Sequence, residues 1–304
     1  MLRVTYIYWE PWFRGHPPAL DLKNRAEVVM GMSGVFAADV VVAHAPSLLS
    51  SGQTHEVELL RRNTSPEQVW ILVTQESSEN YPEQASPGFR SLFDGEMSHR
   101  QTAEIWIPYL DAGSIGAEFD PTEKTELCCA FMSSGFNASR RQEYLASLMR
   151  HVDVASYGRV QNNRRIADDG GRMSKLAVMR RFRYATAFEN SRETDYVTEK
   201  FFDPLGVGTI PIYLGAPNIG EFCPGDECCI DASAHPDPRT LARLILERDY
   251  RDLHRWRQQP LRRSFMEKSA RLAIPFHERF LASAEALRER KRKGPCEAGR
   301  GLLA

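Results

Sequence analysis

Short apolar runs alternate with segments of helical period along most of the chain. Arg3 to Tyr8, Val40 to Ala43 and Val69 to Thr74 read as strands, and Asn24 to Phe36 and His55 to Arg62 as helices between and around them. Ile105 to Pro108 is a further short strand. A second series follows. Leu127 to Met132 and Val152 to Tyr157 predict strands, with a helix from Ser139 to His151 between them; Ser174 to Arg181 predicts a helix leading into strands at Tyr184 to Phe188 and Thr209 to Leu214. In the 139–151 helix Tyr144, Leu145, Leu148 and Met149 share one face, and Asn137 and Ser139 are its candidate caps. Cys228 to Ile230 predicts a last strand, and Pro238 to Arg248 a helix with Leu241, Leu244 and Ile245 on one side. From Arg263 to Lys293 the pattern is helical and increasingly basic, ending in RERKRK. Strands alternating with helices predict parallel sheets covered on both faces, here in two Rossmann-like halves.

Between Asp111 and Glu126 the chain is rich in Gly, Ser and charge and loses its periodicity. That places a domain boundary there. The expected division is residues 1–115, residues 125–262, and a helical basic tail over residues 263–304.

Composition narrows the function classes. At 304 residues, 42% hydrophobic and 26% charged, the chain is long enough for two soluble globular domains. Its 39 basic and 40 acidic residues leave a net charge of −1, so no global field points to nucleic acid as a partner and any basic site must be local. The apolar N-terminus MLRVTYIYWEPWF is too short to span a membrane and has no signal-peptide h-region, which reads as a soluble, cytosolic protein. Cys128 and Cys129, and Cys228 and Cys229, are adjacent pairs, a poor spacing for zinc. With Cys223 and Cys296 they read as free thiols in a reducing compartment, or as a bridge among Cys223, Cys228 and Cys229 in an oxidising one. Histidines 16, 44 and 151 lack HxxE or HExxH spacing, and Asp168-Asp169 has no following ligand cluster, so no metal site is expected.

Tyr184 to Gly215, YATAFENSRETDYVTEKFFDPLGVGTIPIYLG, concentrates the candidate chemistry. It reads as strand, loop, helix, strand, a βαβ unit whose first loop sits where helix N–H groups and dipole favour an anion. Lys200 adds a full charge in the first turns. Glu199, about 100° away around the helix, can accept two hydroxyl hydrogen bonds as an acid does from a ribose; the plainer reading is an ordinary acid in a first turn. Arg141 lies where another strand ends and a helix begins, a second placement that delivers a cation to the sheet's carboxyl edge. Glu76, directly after the Val69 to Thr74 strand, is placed to abstract a proton, or is a solvated loop acid.

FENS (188–191), DYVTEK (195–200) and IPIYLGAPN (210–218) resemble the donor-binding signature of the α-1,3/1,4-fucosyltransferases, in a bacterial-type soluble form. The resemblance covers roughly residues 70 to 260 and is strongest over 184 to 218. It implies a GT-B architecture, two Rossmann-like domains facing across a cleft, the first binding a glycan acceptor and the second GDP-fucose. Tyr196, Glu199 and Lys200 of the intact YVTEK are implied to hold GDP-fucose, and Asn190 of the FEN triplet to line the same pocket. The segment SSGFNASRRQEY resembles the family's SN-x-N-x(n)-R loop, whose arginine contacts the pyrophosphate. That implies Arg141, or Arg140 if the register differs by one; Gly135-Phe136 departs from the pattern. Glu76 is implied to be the general base, with Glu79 the second candidate because the usual serine-proline pair is Ser77-Ser78 here.

The reaction so implied is an inverting transfer of fucose to an N-acetylglucosamine or glucose hydroxyl, with no metal and no cofactor besides the donor. A transferase using another GDP-sugar, or a non-catalytic nucleotide-sugar-binding protein, are the alternatives. The loops around residues 9–20 and 76–100 would choose the acceptor, a lipid-linked glycan being one candidate; Trp9, Trp12 and Phe13 could stack a sugar or serve as core. The RERKRK tail, with Leu281 and Leu287, could lie on an anionic membrane surface and make the protein peripheral at the inner face.

Overall fold

The computed structural model describes residues 1–8, 22, 25–110, 115 and 124–293. They divide into two units, residues 1–107 with the chain from 272 onward, and residues 108–271. The expected contacts of Trp9, Trp12, Phe13, Asn24 and Cys296, and most of the predicted linker, fall outside the described residues.

The first unit is built on a parallel sheet of β1 (Leu2–Ile7), β2 (Ala26–Met30), β3 (Val40–His44), β4 (Val69–Thr74), β5 (Gly95–Ser98) and β6 (Ile105–Trp106), in the order β2-β1-β3-β4-β5-β6. The central strands β3 and β4 are buried along their whole length, which is why they read as unbroken apolar runs. Alternate residues serve opposite faces. Val40, Val42, Val69, Ile71 and Val73 enter one core cluster, and Val41, Ala43, Trp70 and Leu72 the other. Helices α1 (Ala45–Ser51), α2 (Thr54–Arg62) and α3 (Pro87–Arg90) fill connections between these strands.

Two expectations are corrected in this unit. The helix predicted over Asn24 to Phe36 is a strand, β2, paired in register with β1 (Leu2 opposite Ala26, Tyr6 opposite Met30), followed by a 3-10 turn at Met32–Ala37. Its edge position leaves it half-exposed, which blurs the period of two. Gly31, at φ 91°, ends it in a conformation that favours glycine.

The basic tail is the second correction. Residues 263–293 do not form a separate tail. Helix α8 (Arg263–Ala273) falls almost wholly in the second unit, whereas α9 (Phe276–Lys293) packs on the first sheet through Phe280, Ala284 and Leu287. Leu287, 1% exposed, is core and not a lipid-facing residue. The cations are engaged as well: Lys291 Nζ lies 3.0 Å from Asp94 and 2.7 Å from the Gln68 carbonyl, Arg288 3.1 Å from Asp39, and Arg292 3.2 Å from Glu67. The face that carries Phe280, Ala284 and Leu287 is thus turned to the sheet, while Arg290, Arg292 and Lys293 each keep more than half of the side chain exposed. Among the described residues no helix is long and apolar enough to cross one.

Gly95 makes room for this packing, since a Cβ there would stand 2.7 Å from Leu287 Cδ1. Leu287→Ala is therefore expected to cost about 2–5 kcal/mol, the usual range for emptying a well-packed leucine site, seen as a lower urea midpoint for the first unit. An unchanged midpoint would show that the helix contributes nothing to the sheet's core.

The second unit carries β7 (Glu126–Met132), β8 (Val154–Gly158), β9 (Phe182–Phe188), β10 (Ile210–Leu214) and β11 (Ile230–Asp231), all parallel, in the order β11-β10-β9-β7-β8. Helices α4 (Arg141–Leu148), α5 (Arg172–Met179), α6 (Glu199–Gly206) and α7 (Pro238–Glu247) cover it, each within two or three residues of its predicted bounds where one was predicted. Leu145, Leu148, Leu241 and Ile245 bury the faces that their spacing indicated.

Candidate active site

Strand order locates the site. The chain runs from β7 to β8 on one side and then returns to β9 on the other, so the crossovers diverge between the carboxyl ends of β7 and β9. In open parallel sheets this switch point is where ligands bind. A cavity of about 760 Å³ lies along this edge, lined by Met132 to Ser134 at the end of β7, Tyr157 to Arg159 at the end of β8, Arg141, Lys175, Glu199 and Lys200.

Arg141 bridges the switch point. Its side chain is buried, 1% exposed, and donates through Nη2 to the Ser134 carbonyl (2.9 Å) and through Nη1 to the Phe188 carbonyl (3.1 Å), the ends of β7 and β9. Ser139 adds a third tie, its N–H donating to the Asn190 carbonyl at 3.0 Å. Arg140 takes the left-handed φ of 60° that starts α4 and is exposed, so of these two arginines it is Arg141 that lines the cavity. Gly158 completes this edge. At φ 95° it brings the chain so close to β7 that a Cβ would lie 2.4 Å from the Met132 carbonyl oxygen.

Thr198 starts α6 and explains its local fold. Its hydroxyl accepts from the Lys200 N–H as a helix cap and from Lys200 Nζ (2.9 Å), and lies 2.8 Å from the carboxylate of Glu189, to which it donates. The Thr198 N–H also donates to Glu189 at 2.7 Å. Glu189 is fully buried and 3.4 Å from Lys200 Nζ. Burial raises the Glu189 carboxyl while Lys200 pulls it down; the net direction is up. Burial works against the charge on Lys200 as well, but Glu189 and Glu199 outweigh it and raise the ammonium's pKa. Lys200 is thus a firmly charged cation held on a carboxylate beneath it. Gly215 permits that arrangement, since a Cβ there would stand 2.6 Å from Glu189 Cγ.

Glu199 projects from the same turn and is more open, 41% exposed, with its carboxylate 3.1 Å from Lys200 Nζ. Partial burial opposes its charge, yet Lys200 and Lys175 together lower its pKa to about 2. A depressed folded-state pKa stabilises fully above the ordinary value of 4.5 and is lost as pH falls toward about 2. The stability gap between wild type and Glu199→Gln in urea unfolding is accordingly expected to narrow over that window. A gap independent of pH would mean the carboxylate gains nothing from its lysines.

The signature of glycosyltransferase family 10 (fucosyltransferase), C-term, matches residues 121–293, more than half of the chain and the whole of this site. The chain belongs to this fucosyltransferase family. A putative fucosyltransferase-like protein of Arabidopsis thaliana is 28% identical over 273 residues, 83% of this chain and 51% of its own length. The GDP-fucose protein O-fucosyltransferase 3 of Gallus gallus is 36% identical over 131 residues, 40% of this chain and 27% of its own. The fucosyltransferase-family chain thus spans about half of the first relative and about a quarter of the second. A crystal structure of alpha1,3-fucosyltransferase with GDP-fucose superposes with a TM-score of 0.61 at 15% identity, covering 95% of this chain and 90% of that one. The fold is the GT-B class, two parallel-sheet α/β domains.

Of the residues expected from sequence, Arg141, Glu199 and Lys200 line the cavity of this family member together. Asn190 and Tyr196 are buried and are not among its lining residues. Tyr196 is 2% exposed, packs edge-on against Tyr109 at 6.4 Å, and does not reach the lining; Asn190 is 5% exposed. Glu76 belongs to the first unit. It follows β4 half-buried, its N–H donating to Thr74 Oγ1 (3.1 Å) and its carbonyl accepting from Gln84 Nε2 (3.0 Å), whereas Glu79 is exposed.

Sequence reasoning missed Lys175, and with it Arg159, Arg164 and Arg165, which also line the cavity. Lys175 Nζ is held at 2.9 Å from buried Asp203, on the face of α6 turned toward α5. The basic run after β8, at a strand's carboxyl end, was the available signal; Lys175 had none, because its position depends on how α5 packs on α6.

Proposed function

We propose that the chain is an inverting transferase that moves L-fucose from GDP-fucose to a hydroxyl of an N-acetylglucosamine or glucose residue, forming an α-1,3 or α-1,4 linkage. The observation that carries this reading is the convergence of Arg141, Lys175 and Lys200 on one cavity at the switch point of the second sheet. Three cations at that edge suit a diphosphate, and Glu199 suits hydroxyls of a ribose beside it. Family membership and the structural likeness to a fucosyltransferase with GDP-fucose narrow the nucleotide sugar.

In this reading Glu76 accepts the acceptor's hydroxyl proton as that oxygen bonds to the anomeric carbon. The bond from that carbon to the phosphate oxygen breaks with its electron pair, and GDP leaves as its new charge is met by Arg141 and Lys200. The cations do the work a divalent ion does in other transferases, so transfer is expected to persist in chelator.

A transfer assay with labelled GDP-fucose on a glycan array tests the proposal directly, with GDP-mannose and GDP-rhamnose alongside. Transfer from GDP-fucose to lactosamine-type glycans is expected. Turnover of another GDP-sugar alone, or GDP binding without turnover on any acceptor, would overturn it. The 36% identity to a protein O-fucosyltransferase favours a second reading, a hydroxyl on a protein, so folded protein acceptors belong in the same assay.

A further inference from the structure

Three cysteines that the sequence spacing marks as poor zinc ligands are brought together by the fold. Cys223, Cys228 and Cys229 place their sulfurs within 4.8 Å of one another, and among the described residues theirs is the one group of three or more His, Cys, Asp or Glu side chains close enough to share an ion. They lie in the loop between the 3-10 turn at Ile219–Glu221 and β11, away from the residues that line the donor cavity.

Contacts other than those of the sulfurs also hold the loop. Arg262 fastens both of its arms: its N–H donates to the Pro224 carbonyl (2.9 Å), Nη1 to the Gly220 carbonyl (3.1 Å), and Nε to Asp226 Oδ1 (2.8 Å). At Gly225 the backbone lies so close to Trp256 that a Cβ would be 2.5 Å from the tryptophan Cβ. With the backbone held by these contacts, the three sulfurs are presented as a preformed face.

We propose that Cys223, Cys228 and Cys229 bind a single thiophilic d10 cation, Zn2+ being the example, through three thiolates, with the fourth position open to water. The separation of Cys223 and Cys229 Sγ, 3.9 Å, supports this. Two thiolates on one zinc at a bond length of about 2.3 Å stand about 3.8 Å apart in a tetrahedral site and about 4.0 Å apart in a trigonal one. Soft sulfur ligands select such ions over the oxygen-loving Mg2+ and Ca2+. Cys223 and Cys228 are buried and Cys229 is half-buried, so the open position faces outward past Cys229. Each protonated thiol releases its proton to solvent as its sulfur–metal bond forms. Three thiolates on a divalent ion leave one negative charge, and the guanidiniums of Arg262 and Arg257 act electrostatically on this cluster. Asn218, five residues before Cys223, holds Asp195 by two hydrogen bonds, Asp195 N–H to Oδ1 (3.0 Å) and Nδ2 to Asp195 Oδ1 (2.8 Å).

Co2+ titration of the full, reduced, metal-stripped protein tests the proposal without any nucleotide sugar, so its outcome is separate from that of the donor assay. A thiolate-to-Co2+ charge-transfer absorption that saturates at one equivalent and is abolished by Zn2+ is expected. Cys223→Ser and Cys229→Ser should each weaken Zn2+ binding by about 10²-fold or more, beyond what changes around a ligand usually cost. Cys296→Ser should leave it intact. Because the titration uses the wild-type chain, it decides even if a variant does not fold. Absence of the absorption, its persistence in Cys223→Ser or Cys229→Ser, or equal reaction of these thiols with a disulfide reagent in the presence and absence of Zn2+, would overturn the assignment.

Discussion

Lys200→Ala is expected to lower turnover with GDP-fucose by about 10²-fold or more, the usual cost of deleting a group that meets charge developing in the transition state. The expectation rests on how the ammonium is held. It sits 2.9 Å from Thr198 Oγ1, 3.1 Å from Glu199 and 3.4 Å from Glu189, three contacts from three positions, so it is already oriented at the cavity before any ligand arrives. Removing it has a second effect. Glu189 is fully buried, and without the cation its carboxyl loses the main influence that opposes burial, so its pKa should rise further. GDP affinity by calorimetry and steady-state kinetics separate the two consequences: weaker GDP binding reports the lost cation, and a larger fall in kcat reports its action on the leaving group. Lys200→Arg should recover only part of the rate, because the planar fork cannot reproduce a point charge between Thr198 and two carboxylates. Wild-type turnover in Lys200→Ala would remove this residue from the donor site.

Glu76→Gln should leave GDP affinity unchanged and lower turnover by about 10²- to 10⁴-fold, the range for losing a general base. The substitution is isosteric, and the backbone around it is pinned by Thr74 and Gln84, so a fold defect is not expected. Burial first, and then the Glu76 charge, raise the phenol of Tyr81, which gives a spectroscopic handle on that carboxylate. In Glu76→Gln the ultraviolet titration of Tyr81 should move down toward the ordinary phenol range. Glu79→Gln, at an exposed position, should retain turnover. Full activity of Glu76→Gln together with loss in Glu79→Gln would transfer the role of base to Glu79.

The legible parts of this chain were those that local chemistry dictates. Val40–His44 and Val69–Thr74 are buried on both faces and so carry no competing polar pattern. In YVTEK, Thr198, Glu199 and Lys200 are a helix cap and its first turn, near enough in sequence to specify one another. Edge strand β2, half-exposed and ended by Gly31, had no such internal consistency and was misread as helix. Helix α9 was legible as a helix, but not the partner of its apolar face. Its alternation of Leu and Arg is equally compatible with a lipid surface and a protein core, and only the sheet to which the chain returns distinguishes them.

The sequence by itself determined two parallel α/β units, a cation at the start of α6, and membership of a fucosyltransferase family. Those features follow from periods and short-range spacings, which are properties of neighbouring residues. Tertiary structure alone decided which cations share the cavity, that Tyr196 and Asn190 are buried and not among its lining residues, and that three ill-spaced cysteines converge. Each depends on strand order, and strand order is a choice among long-range pairings that one-dimensional spacing does not encode. The placement of Arg141 shows the difference: its sequence position put it at a helix start, but only the β7–β9 adjacency gave its two nitrogens the carbonyls of Ser134 and Phe188.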